Sequence, residues 1–153
     1  MNKPIILAIV AAASLIAAPT TPASVPVTGT GTGVLTSLTV TEIWYADGNT
    51  FGTTEGTEIH HGVQEGTVTL TSTFAIHPSG NFTYNGIGTC ACTVEGRTGT
   101  FVYRFEARGD SLSSPAVGTF TILYGEGDLA TLRGHGTFEG SSYTFDYHFD
   151  GNS

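Results

Sequence analysis

Oxygen-bearing residues recur through the segment ADGNTFGTTEGTE at a spacing that partly matches a calcium-binding loop. Asp47, Asn49, Gly52, Glu55 and Glu58 occupy the first, third, sixth, ninth and twelfth places of that pattern. Such ligands serve a hard cation only when a tight loop curls them onto one centre. Phe51 stands in the fifth place, and the flanking segments read as strands rather than helices. The segment therefore reads as a Gly/Asn turn cluster, and no metal site is expected.

The remaining reactive side chains are sparse. Cys90 and Cys92 lie two residues apart in TCACT. On a regular strand their Cα atoms would be about 6.5–7 Å apart, at the edge of what a disulfide spans. A bridge and a pair of buried thiols both remain open, while the lack of a second cysteine pair argues against zinc. His60 and His61 are adjacent, so on a strand they point to opposite faces and cannot share a metal. His77 and His148 fall on polar faces and His135 sits between glycines. Each histidine reads as solvated or satisfied by a turn. There is no Gly-x-Ser-x-Gly elbow, phosphate-cradling loop or dinucleotide fingerprint, so no cofactor is expected and no catalytic residue can be assigned. Asn81-Phe82-Thr83 is a glycosylation sequon that matters only in a glycosylating host.

Aromatic residues carry more information. Tyr143, Phe145, Tyr147 and Phe149 alternate with Thr144, Asp146, His148 and Asp150, so four rings share one strand face. The same period of two sets Phe82 and Tyr84, Phe101, Tyr103 and Phe105, and Phe120, Ile122 and Tyr124 on inward faces. A buried phenol needs a hydrogen-bond partner, which a ligand-holding cavity supplies more easily than a dry core. Trp44, Tyr84, Tyr103, Tyr124 and Tyr147 are accordingly the expected ligand-binding residues. Tyr84, Tyr103, Cys90 and Cys92 are the inward groups with any capacity for chemistry.

The elements that must position these residues are strands. GVLTSLTVTEIW aligns Val34, Thr36, Leu38 and Val40, and TVTLTSTFAI sets Val68, Leu70, Phe74 and Ile76 against a threonine row. Glu95-Gly96 makes a short turn, GEGDLATLRG a tight connection whose Leu129 and Leu132 plug one end, and GHGTFEG with SYTFDYHFD a closing hairpin. No stretch beyond the N-terminus shows helical periodicity. A long run of hairpin-linked, one-faced strands must close on itself or find a second layer. The expected fold is all-β, a closed antiparallel up-and-down barrel of about eight strands, with a sandwich as the alternative.

The 153 residues suffice for one domain, expected over residues 28–150. Residues 1–23, MNKPIILAIVAAASLIAAPTTPA, read as a signal peptide: Lys3, an apolar run from Ile5 to Ala18, then small and proline residues. Cleavage is expected between Ala18 and Ser24, with an uncleaved tether as the alternative. The apolar run is shorter than the roughly 20 residues a membrane-spanning helix needs. An exported chain without stable membrane insertion follows. Its formal net charge of −8 becomes −9 without Lys3, a field that repels phosphate backbones and excludes nucleic-acid partners.

The segments VEGRTGTFVYRFEARG, GEGDLATLRGHGTFEG and YTFDYHF, in this order, resemble an uncharacterised bacterial family of unknown function related to the allene oxide cyclase-type, calycin-like barrel. The resemblance spans residues 28–150 and implies a small barrel of about eight antiparallel strands. It implies no reaction. Allene oxide cyclases and dirigent proteins shape a cavity around an apolar substrate, but their active residues match no motif here. The leading expectation is an exported barrel that binds a small apolar or aromatic molecule inside. The alternatives are a cyclase- or isomerase-like enzyme using the same cavity, and a structural module with a filled core.

Overall fold

The computed structural model describes residues 22–151, which leaves the expected signal peptide almost wholly outside the described residues. Eight strands follow one another: β1 Val27–Ala46, β2 Asn49–Gly62, β3 Gln64–Ile76, β4 Phe82–Val94, β5 Arg97–Gly109, β6 Val117–Gly127, β7 Leu132–Glu139 and β8 Ser142–Phe149. Each pairs antiparallel with its neighbour in sequence, and β8 returns to β1 to close the barrel. The expected fold class is what the chain adopts.

Closure is uneven. β8 pairs with β1 only from Val27 to Thr32, while β1 continues to Ala46 beside β2 alone. β7 and β8 are eight residues each against 20 for β1, so β1 to β4 rise above a short wall on the far side. We call the end with the β1–β2, β3–β4, β5–β6 and β7–β8 turns the top. That wall difference makes the top a flared mouth.

The stretch from Asp47 to Glu58, expected as a loop, is instead a two-residue turn followed by most of β2. Asp47 and Gly48 carry φ of 50° and 78°, the left-handed pair that a tight hairpin turn demands. Glu95 and Gly96 repeat this geometry at the bottom, at 50° and 76°. Asn49, Gly52, Glu55 and Glu58 therefore spread along an extended strand at about 3.3 Å per residue and cannot converge on a cation.

Two further expectations fail because of bulges. Register shifts after Leu35 and after Val40 break the first strand's alternation. Leu35, Leu38 and Val40 face the interior, while Val34 is left about half exposed outside. In β6, a shift opposite Val102 and Tyr103 buries Phe120 and Ile122 but turns Tyr124 out to 52% exposure.

The lower half is solid. Val68, Val94, Phe101, Leu129, Leu132 and Phe145 are almost wholly removed from water, with Leu129 and Leu132 closing the base as the sequence implies. Aromatic rings fit because glycines stand across from them. The Tyr103 ring lies over Gly88, its register partner, and the Tyr143 ring lies over Gly31. A Cβ at either glycine would overlap the phenol. This use of glycine as a seat for a cross-strand ring accounts for several of the 21 glycines, beyond any need for turns.

Candidate functional site

The upper half is hollow. A cavity of about 440 Å³ opens towards the mouth, within the range of small-ligand sites. The reason lies in β2, whose inward face reads Gly52, Thr54, Gly56, Glu58 and His60. None of these can fill a barrel as a leucine or phenylalanine would. The opposite wall is aromatic: Phe82 stacks on Tyr84 at 6.2 Å, Tyr84 meets Phe105 edge-on at 5.9 Å, and Tyr103 packs on Phe120 at 5.7 Å. Leu35, Leu38, Val40, Leu70 and Phe74 complete an apolar lining.

Polar groups gather at one pole of this cavity. His60 Nε2 lies 2.8 Å from Glu58 Oε2, with the histidine side chain 8% and the glutamate side chain 26% exposed. His60 Nδ1 is buried and has no hydrogen-bond partner among the described residues. The imidazole stacks on Tyr143, ring centroids 5.4 Å apart. The Tyr143 hydroxyl reaches the carbonyls of His61 at 3.3 Å and Gln64 at 3.4 Å, and accepts the Gln64 amide at 3.4 Å. That phenol is therefore a strap between β8 and the β2–β3 turn. Burial pushes its pKa up to about 12 against the opposing pull of hydrogen bonds from Gln64.

Tyr103 differs. It is 7% exposed and lines the cavity, and its hydroxyl makes no hydrogen bond among the described residues. Burial first, and then the Glu58 charge and Tyr143, drive its pKa far above the ordinary phenol range. Tyr84, nearer the mouth, is shifted upward by burial and again by Glu58. Burial first, and the Glu58 charge second, thus hold two phenols of the opposite wall in their neutral form.

Of the residues expected to bind a ligand, Tyr84 and Tyr103 stand in the cavity wall. Trp44, Tyr124 and Tyr147 do not. Trp44 stacks on Phe51 at 5.9 Å near the β1–β2 turn, Tyr124 faces solvent, and Tyr147 lies in the solid lower half with its hydroxyl donated to Glu95 Oε1 at 2.9 Å. Cys90 and Cys92 are bonded to each other below the cavity, their Cα atoms drawn to 5.3 Å. They offer no thiol. Among the described residues, no cluster of three or more His, Cys, Asp or Glu side chains is placed to hold a metal ion.

Glu58 and His60 are the site residues that the sequence reading missed. Both sat in segments read as turn or solvated surface, yet a signal was present. From Asn49 onward the alternate residues Gly52, Thr54, Gly56, Glu58 and His60 form a polar strand face, and the other face carries Phe51 and Ile59. A strand with its small and polar side inward is invisible to a search for apolar alternation. His61, on the outer face, pairs with Glu65 at 3.0 Å, so the adjacent histidines do point in opposite directions.

A family model described as "Protein of unknown function (DUF3224)" matches residues 31–150. The crystal structure of a protein of unknown function from that family, from Shewanella oneidensis MR-1, is similar in fold with a TM-score of 0.62. The two share 20% identity over 84% of this chain and 98% of the other, which speaks to the fold alone. No curated protein matches the sequence. The match over most of the barrel carries the assignment: this chain belongs to the DUF3224 family of proteins of unknown function.

Proposed function

We propose that the barrel is an exported binder of a small, largely apolar molecule, held in the upper cavity with a polar end near Glu58, His60 and Tyr103. The cavity carries this reading: about 440 Å³ of apolar-walled space with a few convergent polar groups at one pole. A filled-core module would not leave interior aromatics such as Tyr103, Phe105 and Phe120 facing a void. The sequence resemblance to the allene oxide cyclase-type barrel, whose members shape a cavity around an apolar substrate, supports this reading. Export rests on the N-terminal apolar segment.

The test uses N-phenyl-1-naphthylamine, an uncharged probe that fluoresces in apolar surroundings. One-to-one binding is expected, and Leu70→Trp, which places an indole in the cavity, should abolish it. An absence of saturable binding to the natural chain ends this reading. Export is checked by N-terminal sequencing of protein recovered outside the cytoplasm, with a start expected between residues 19 and 24.

A second reading, an isomerase-like enzyme, is favoured by the presence of a carboxylate, an imidazole and an unpartnered phenol around one cavity. It requires Glu58 to remove a proton beside a carbonyl while Tyr103 donates to the developing oxyanion. Exchange of the α-protons of 2-octanone into heavy water, followed by proton NMR, measures this directly. A rate equal to that of buffer rules the enzyme out.

A further inference from the structure

Resting on the reading of the cavity as a ligand chamber, we infer that its occupant is an amphipathic amine, with the ammonium group paired to Glu58 and the apolar body among the aromatic rings. The charge inventory argues for a cation. Among the described residues, Glu58 is the one carboxylate in the lining, and no lysine or arginine joins it. An anionic guest such as a fatty acid would meet a like charge and no counter-charge, in a space where unpaired charge is costly.

His60 positions the carboxylate without cancelling its charge. Its Nε2–H donates to Glu58 Oε2 at 2.8 Å. A second proton on Nδ1 would be a buried donor lacking any acceptor among the described residues. The tautomer with its hydrogen on Nε2 avoids burying that second donor and leaves Glu58 as the acidic member of the pair. Glu58 Oε1 makes no hydrogen bond among the described residues, and the side chain stays about one-quarter exposed towards the chamber. An ammonium group can therefore reach a pre-oriented, incompletely satisfied acceptor.

The walls suit the same guest. Phe74, Phe82, Tyr84, Tyr103, Phe105 and Phe120 present aromatic surfaces around the space, and ring faces attract cations once water is displaced. At longer range, the chain's net charge of −8 draws cations and turns anions away. Cavity, carboxylate, rings and overall field all favour a lipophilic cation.

Three probes of equal chain length separate charge from hydrophobicity: octylamine, 1-octanol and octanoate, titrated at pH 7 by isothermal calorimetry. Octylamine should bind at least about tenfold more tightly than 1-octanol, as a charge-assisted contact predicts, and octanoate should bind most weakly. Glu58→Gln, which still offers His60 an acceptor, should weaken octylamine by at least about tenfold and so erase its advantage over 1-octanol. Equal affinities, or a preference for octanoate, overturn the inference and leave the chamber reading intact. Persistence of the amine's advantage in Glu58→Gln overturns it as well. If no probe binds, including N-phenyl-1-naphthylamine, both readings fall. The comparison on the natural chain stands even if the variant does not fold.

Discussion

His60 donates from Nε2 to Glu58 Oε2 at 2.8 Å, two residues along the same face of β2, with the imidazole lying over the Tyr143 ring. This pair stands in the wall of a largely apolar chamber, and its worth depends on both members. His60→Ala should destabilise the barrel by about 1–3 kcal/mol, since it leaves a half-buried carboxylate without its donor. Adding Glu58→Gln should restore part of that loss. A double-mutant cycle by urea denaturation reads the coupling, and strict additivity of the two changes would show that the pair does not act as a unit.

The division into a filled and a hollow half predicts unequal responses to truncation. Phe145 is fully buried between Phe120 and Tyr147, so Phe145→Ala should cost about 3–5 kcal/mol. Tyr84 borders the cavity and already lacks neighbours on one side. Tyr84→Ala should cost less than about 2 kcal/mol and weaken probe uptake. Similar losses at both positions would mean that the upper half is packed.

The Cys90–Cys92 bridge closes a very short loop and is buried beneath the cavity. Chain-entropy reasoning assigns so small a ring only about 1–2 kcal/mol. Reduced protein should therefore keep its barrel, with a melting temperature lowered by roughly 3–8 °C, at about 3–4 °C per kcal/mol for a domain of this size. Near-ultraviolet and far-ultraviolet dichroism before and after reduction under denaturing conditions and refolding checks this. Complete unfolding on reduction would contradict it.

Alkaline titration should follow the tyrosines. Burial raises the pKa of Tyr143 and of Tyr147 to about 12, with the Glu95 contact adding to the shift at Tyr147. Tyr103 is raised further in the same direction. A folded-state pKa above the unfolded value means that stability is fully present below pH about 10 and is lost as pH rises towards 12. Tyrosinate absorbance from these phenols should appear together with loss of β-sheet dichroism. Their ionisation well below pH 10 in folded protein would contradict the buried placement.

Much of this architecture was written in local order. Alternation with a period of two made the strands visible, and the four rings from Tyr143 to Phe149 do face one interior, all less than a tenth exposed. Leu129 and Leu132 plug the base as their Gly-rich connection implied. These features are legible because a strand's pleat and a turn's dihedral demands act over a few residues. Where a bulge shifted the phase, as at Thr36 and Leu123, the same reasoning misplaced Val34 and Tyr124.

The cavity was a different kind of fact. It arises because β2's small and polar inner face lies across the barrel from the rings of β4, β5 and β6. It also needs β1 to outrun β8 so that the mouth stays open. The chain determined by itself that the rings turn inward. Only closure of the sheet decided which rings meet other rings and which meet empty space, because packing depends on the side chains opposite, supplied by strands dozens of residues away.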